Sequence, residues 1–231
     1  MTSRDLVFGE KILKKLRAEV GEKQRSEVRV VQLDICDEES CQNLAALLKA
    51  EHGGLDVLVN NAGFAFSNND ESPLVHQAEV TLEINYYGTK RISDTLIPLI
   101  RPRIVNVCSQ AGVLRGYYSD SIIELISSPT TTYENIDRFC QLYKEHCVNG
   151  AYSVSKAAEI ALTQVQSREL KDRRIRVVSC CPGSVATKMT SFKGLFTPER
   201  GADTSAFLAV APPMSLMNGG FYYLRKPIEW P

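Results

Sequence analysis

The chain has 231 residues, 44% hydrophobic and 23% charged, a composition that suits one soluble globular domain with a sizeable core and excludes disordered, collagen-like and membrane-spanning classes. Lys plus Arg number 27, as do Asp plus Glu, so the formal charge is zero and neither nucleic acid nor an anionic membrane is indicated as a partner. Met1 to Leu16 lacks the continuous apolar stretch of a secretion signal, and no run of eighteen apolar residues follows, which points to the cytoplasm. The seven cysteines, without C-x-x-C pairs, are expected as free thiols. His52, His76 and His146 are scattered, so no metal is expected.

Asp5 to Val20 places Leu6, Leu13, Leu16 and Val20 on one helical face, with Thr2, Ser3 and Asp5 as capping candidates and Gly21 at its end. Val28 to Leu33 is a short β-branched strand, followed by a helix from about Glu38 to Glu51 that Gly53-Gly54 ends. Leu55 to Val59, Ile104 to Val107 and Ile175 to Cys180 are nearly continuous apolar runs, as strands buried on both faces of a parallel sheet are. Helices are predicted over Val75 to Leu96 and Ala151 to Leu170, with a last short strand near Gly220 to Leu224. This alternation specifies a doubly wound, Rossmann-like α/β fold in one domain, residues 1–231. Ligands in such sheets bind beyond the carboxyl ends of the strands.

Those strand ends carry polar and glycine clusters. Asn60-Asn61-Ala62-Gly63 follows one strand and Ser109 another; Asn85 lies in the helix between them, and Cys181-Pro182-Gly183-Ser184-Val185-Ala186-Thr187 follows a third. Tyr152 and Lys156 stand one helical turn apart, where an ammonium favours the phenolate and would lower a pKa otherwise near 10. Such a tyrosine exchanges protons near neutral pH.

In this order the motifs resemble those of the short-chain dehydrogenase/reductase family. Ser109 and Tyr152 are unusually far apart for that family, and the extra segment, about 113–148, is similar to the insertion of its monomeric NADPH-dependent carbonyl reductases. The resemblance implies reduction of ketones, aldehydes or quinones to alcohols with NADPH, the cofactor supplying hydride and Tyr152 the proton. It implies that Lys156 lowers the tyrosine pKa and holds the ribose, that Ser109 polarises the carbonyl, and that Asn85 holds a relay water. Arg4 would meet the 2′-phosphate, Asp34 and Ile35 the adenine, and Asn61, Ala62 and Gly63 the neighbouring ribose. Pro182, Gly183, Val185 and Thr187 would line the nicotinamide side. Phe64, Phe66, Tyr117, Tyr118 and Phe139 are candidates to wall an apolar cleft for a small-molecule carbonyl substrate. The insertion would cover the face through which relatives form subunit contacts, so a monomer is expected.

Family members carry a strand, a glycine-rich turn, a helix and a second strand ahead of the position of Thr2-Ser3-Arg4-Asp5. Here that unit, roughly thirty or more residues by the size of a β-α-β element, is absent. The turn normally seats the cofactor pyrophosphate, so weakened NADPH binding is expected. The strands at Val28 to Leu33 and Leu55 to Val59 are expected to keep unpaired apolar edges. The alternative implied is a catalytically silent, truncated isoform that acts as a binding or interfering protein.

Overall fold

A computed structural model describes residues 1–67, 69–146 and 150–231; Cys147 and the Val148 end of the expected insertion lie outside the described residues. β1 (Thr2–Ser3) turns at Asp5, whose carboxylate accepts from the Phe8 amide and caps α1 (Leu6–Val20). β2 (Val31–Gln32) precedes α2 (Glu38–His52), capped by Asp37 and closed by Gly53 at φ 69°, the left-handed conformation that glycine adopts without strain. Next come β3 (Leu55–Asn60), α3 (Leu74–Leu82), a π-helical segment (Glu83–Gly88), α4 (Thr89–Leu96) and β4 (Ile100–Val107). The helix predicted over Val75 to Leu96 is therefore two helices joined by a wider turn.

The insertion carries two helices, α5 (Asp120–Ser127) and α6 (Tyr133–His146). The chain closes with α7 (Ala151–Glu169), β5 (Arg176–Cys181), α8 (Pro198–Val210) and the hairpin strands β6 (Phe221–Tyr223) and β7 (Lys226–Ile228).

Strands β3, β4, β5 and β6 form a parallel sheet in that order, with β7 antiparallel at its edge. Alternation along the strands sends Ile104 and Val177 to a core shared with Leu44 of α2 and Ile92 and Leu96 of α4. Their neighbours Val105 and Val178 pack with Leu208 of α8. A third core joins Leu82, Tyr86, Ile126, Ile136 and Phe139 to Val154, Ala158 and Leu162 of α7, and so mounts α5 and α6 on α3 and α7.

β1 and β2 form a separate parallel pair, Thr2 opposite Val31 and Ser3 opposite Gln32. One expectation is corrected here. Thr2 and Ser3 are a strand and not helix-capping residues, because the Val31 and Leu33 amides donate to the Met1 and Ser3 carbonyls. Among the described residues β1 and β2 pair only with each other, so each keeps one unpaired edge, as β3 does in the main sheet. A cavity of about 590 Å³ separates the two sheets, lined by Met1, Thr2, Val31 and Leu33 on one side and Val57 and Val59 on the other. The open edge of β3 leaves Val59 41% exposed. The predicted apolar face of α1 is likewise only partly covered: Gly9 and Leu13 are buried, whereas Leu6 and Leu16 are exposed, since a two-stranded pair offers little surface to pack on.

Candidate active site

Beyond the carboxyl ends of β3, β4 and β5 the chain builds a polar centre from residues that each element delivers. Asn60, the last residue of β3, donates to Ser93 Oγ at 2.9 Å and to Asn106 Oδ1 at 2.8 Å, and Asn106 Nδ2 donates to Thr163 Oγ1 at 2.9 Å. This buried ladder fixes β3, α4, β4 and α7 in register, because each amide left unpaired would cost about 1–3 kcal/mol. The loop after β3 is held by Asn85, which is fully buried in the π-helical segment: its Oδ1 accepts from the Phe64 amide at 2.7 Å and its Nδ2 donates to the Phe64 carbonyl at 2.9 Å. The same Nδ2 donates to Ser155 Oγ of α7 at 2.9 Å. π-Helical turns recur at functional sites, and here one aims an amide across the loop. Both amide donors of Asn85 are thus committed to protein, and a relay water could reach its side chain only by donating to Oδ1.

Ser109 follows β4 and caps the short turn Gln110–Gly112, its Oγ accepting from the Ala111 amide at 3.1 Å. The same hydroxyl hydrogen-bonds the phenol of Tyr152 on the first turn of α7. Gly112 permits this approach: a Cβ there would lie 2.6 Å from the Ala157 nitrogen and the Lys156 carbonyl carbon. Lys156 places its Nζ 5.6 Å from the Tyr152 ring centroid, donates to the Val107 carbonyl at 3.2 Å, and sits 2.7 Å from Oε2 of Glu159. Gly63 closes the ring, since a Cβ there would stand 3.5 Å from Asn85 Oδ1 and 3.6 Å from Lys156 Nζ. Asn85, Ser109, Tyr152, Lys156 and Gly63 are therefore brought together around one point.

The electrostatics differ from the expectation drawn from spacing. Burial is the largest influence on Tyr152 and raises its pKa above the ordinary value; the Lys156 charge and the Ser109 hydrogen bond pull it down but do not prevail. Glu159, which the sequence reading did not single out, adds to the effect of burial. It is as buried as Lys156, pairs with it, and pushes the tyrosine upward. Burial opposes the lysine charge too, yet Glu159 and Tyr152 together outweigh it and hold the ammonium above its usual range.

A second cavity, about 230 Å³, joins Arg4, Asp34, Ile35, Ala62 and Gly63. Ile35 is positioned by Arg91, which donates to its carbonyl at 2.8 Å and pairs with Glu83 at 2.8 Å. Asp34 Oδ1 accepts from the Cys36 amide at 2.9 Å, which fixes its carboxylate at the rim. Asn61 lines the larger cavity between the sheets with Ala62. After β5, Gly183 adopts φ 82° beneath the Phe196 ring, Val185 bridges Phe196, and Thr187 caps the turn Lys188–Thr190. This loop begins at Cys181, which faces Tyr152.

The aromatic residues divide. Phe64 and Phe66 stack edge to face, centroids 4.8 Å apart, on the loop that Asn85 holds. Phe139 is 2% exposed and Tyr118 packs against it, so both belong to the α5–α6 core and neither walls a cleft. Tyr117 is 82% exposed. Cys36, Cys41, Cys108, Cys140, Cys180 and Cys181 are free thiols. Among the described residues no helix is long and apolar enough to cross a membrane.

The sequence profile described as "short chain dehydrogenase" matches residues 7–120 and 144–195. The chain is 36% identical to "Carbonyl reductase [NADPH] 1" of Homo sapiens over 99% of its own length and 87% of that protein. The Mus musculus protein of the same name is 37% identical over the same shares. Among solved structures, salutaridine reductase from Papaver somniferum superimposes with a TM-score of 0.83 at 29% identity, covering 96% of this chain and 89% of that one. An NADPH-bound carbonyl reductase from chicken fatty liver shares the fold, with a TM-score of 0.68 at 21% identity, over 99% of this chain and 86% of that one.

Proposed function

Because the chain belongs to the short chain dehydrogenase family, we propose that it is an NADPH-dependent reductase of carbonyl compounds in which Tyr152 is the proton donor. The observation that carries the reading is the convergence of Tyr152, Ser109, Lys156 and Asn85 beside Gly63 at the carboxyl ends of the sheet strands.

The residues present suit the dinucleotide at its two ends. Gly63 leaves open the approach to Lys156 and Asn85 that a larger side chain would narrow, and the cavity at Arg4, Asp34, Ile35 and Ala62 offers an apolar floor with one cation and one carboxylate at its rim. In our reading Arg4 meets the 2′-phosphate, Asp34 and Ile35 the adenine, and Asn61, Ala62 and Gly63 the adjacent ribose. Lys156 holds the ribose near the reacting ring, with Pro182, Gly183, Val185 and Thr187 along the nicotinamide side. NADPH, when bound, supplies the hydride. Among the described residues, these two ends are the contacts offered to the dinucleotide.

The chain's own part is proton supply and charge stabilisation. Ser109 donates to the carbonyl oxygen and polarises it, while Tyr152, a phenol at neutral pH, releases its proton to that oxygen as alkoxide character develops. The Lys156 ammonium stabilises the phenolate left behind. Asn85 fixes the loop that carries Phe64 and Phe66, the apolar side of the substrate entrance, which suits aromatic ketones, aldehydes and quinones. We also propose a cytoplasmic monomer, since α5 and α6 occupy the α3–α7 face that another subunit would need.

The test is NADPH oxidation with a panel of quinones and aromatic ketones. Saturable turnover that Tyr152→Phe removes supports the reading. A cooperatively folded chain that neither binds NADPH nor turns over would favour the silent, interfering form instead.

A further inference from the structure

We propose that Glu159 is a positioning residue for the proton donor: its carboxylate clamps the Lys156 ammonium in the core and offsets that cation's pull on the Tyr152 proton, keeping Tyr152 a phenol able to protonate a carbonyl. The inference deepens the reductase reading and rests on it.

The geometry is local and unusual. Glu159 stands one turn beyond Lys156 on α7, with Oε2 2.7 Å from Nζ, and the two side chains are 1% and 5% exposed. Here α7 is buried without interruption from Val154 to Thr163, so an apolar residue would fit that position by packing alone. A buried ion pair contributes little net stability compared with well-packed apolar side chains, and stability does not account for it.

Among the described residues facing the pair, Glu159 is the one counter-charge. Lys156 and Tyr152 face it from its own helix; Cys108 faces the pair from the end of β4, and Cys180 and Cys181 from β5. Burial keeps the Cys108 thiol well above its ordinary range and Cys180 up at about 12, so both are neutral. Thr163 adds only an uncharged contact to the Glu159 carbonyl at 2.9 Å. The charge that Tyr152 feels is then Lys156 minus Glu159. Burial also lifts Glu159 to about 7 against the lysine's pull, so this balance changes within the neutral range. As Glu159 ionises, the tyrosine retains its proton to higher pH, which favours reduction over the reverse oxidation.

The experiment is an ultraviolet tyrosinate titration of the full chain without cofactor, with a Tyr152→Phe titration subtracted to isolate Tyr152. Glu159→Gln should move the Tyr152 titration about one unit toward acid, a size typical of one lost neighbouring charge. The alkaline limb of NADPH-dependent reduction should follow, and Glu159→Asp should restore most of both. A folded Glu159→Gln protein that titrates Tyr152 as the wild type does overturns the proposal. Where that variant fails to fold, Glu159→Met, matched in volume, gives the same reading with the same criterion. A shifted titration in a chain without any turnover would leave the clamp standing and sink the reductase reading.

Discussion

Replacing Gly112 by Ala should separate folding from catalysis in a measurable way. The added Cβ would sit 2.6 Å from two backbone atoms of α7, the Ala157 nitrogen and the Lys156 carbonyl carbon, neither of which can rotate away. Reaching an ordinary contact near 3.5 Å demands that the Ser109–Gly112 turn retreat by roughly 0.9 Å. Overpacking of this kind costs about 1–3 kcal/mol, which for a chain of this size lowers the melting temperature by about 2–12 °C. The turn carries Ser109, and a catalytic group misplaced by about 1 Å can lose on the order of a hundredfold in rate. We therefore expect kcat to fall between about tenfold and a hundredfold, and NADPH affinity, which in our reading rests also on the Arg4 cavity, to change less. Circular-dichroism melts, NADPH fluorescence titration and initial rates measure the three quantities. A variant with the wild-type melt and wild-type kcat would show that the close approach does not position Ser109.

Tyr152→Phe should retain the fold and lose roughly 10²–10⁴-fold in turnover, the usual contribution of a positioned acid, as followed by NADPH oxidation; residual activity near wild type would exclude Tyr152 as donor. Asn85→Ala strands the Phe64 amide and carbonyl, so an unfolding free-energy loss of about 1–3 kcal/mol is expected in denaturant titrations, and an unchanged value would contradict the clamp role. Glu159 has a folded-state value of about 7 against an ordinary 4.5, so the folded chain binds its proton more tightly than the unfolded one. Its contribution to stability is full below about pH 4.5 and is lost as pH rises through 7. Urea midpoints of the wild type should therefore decline relative to Glu159→Gln between about pH 5 and pH 8, and parallel curves would refute the linkage. Val59→Lys places a charge on the open edge of β3 and should suppress concentration-dependent light scattering; equal scattering would mean the edge is protected.

Much of the fold was legible in the sequence because the parallel strands are short apolar runs and the site lies at their carboxyl ends. Asn85, Ser109, Tyr152 and Lys156 stand out as polar residues at those places, and the structure brings them together. Other features depend on contacts that no local pattern announces. Thr2–Ser3 is too short to read as a strand and exists only through its ladder with Val31–Gln32. The aromatic residues Tyr118 and Phe139 suit a cleft wall as well as a core, and only α5 and α6 packing on α7 decides for the core. Glu159 looks like an ordinary helical acid until the depth of α7 is known, and the pKa of Tyr152 depends on that depth more than on its spacing to Lys156.

The π-helical segment also works as a phase changer within one helical rod. Before it, Ala78 and Leu82 of α3 are buried, Leu82 in the core beneath α5 and α6; after it, Ile92 and Leu96 of α4 look onto the sheet. Within the segment Tyr86 serves the first core, Ile84 the second, and Asn85 neither, turned instead to the Phe64 loop. Each residue of a helix advances the side-chain direction by about 100°. Deleting one residue between Glu83 and Gly88 would thus rotate α4 off the sheet and swing Asn85 out of the site in a single stroke, so the length of this turn ties the architecture of two cores to the alignment of the reacting groups.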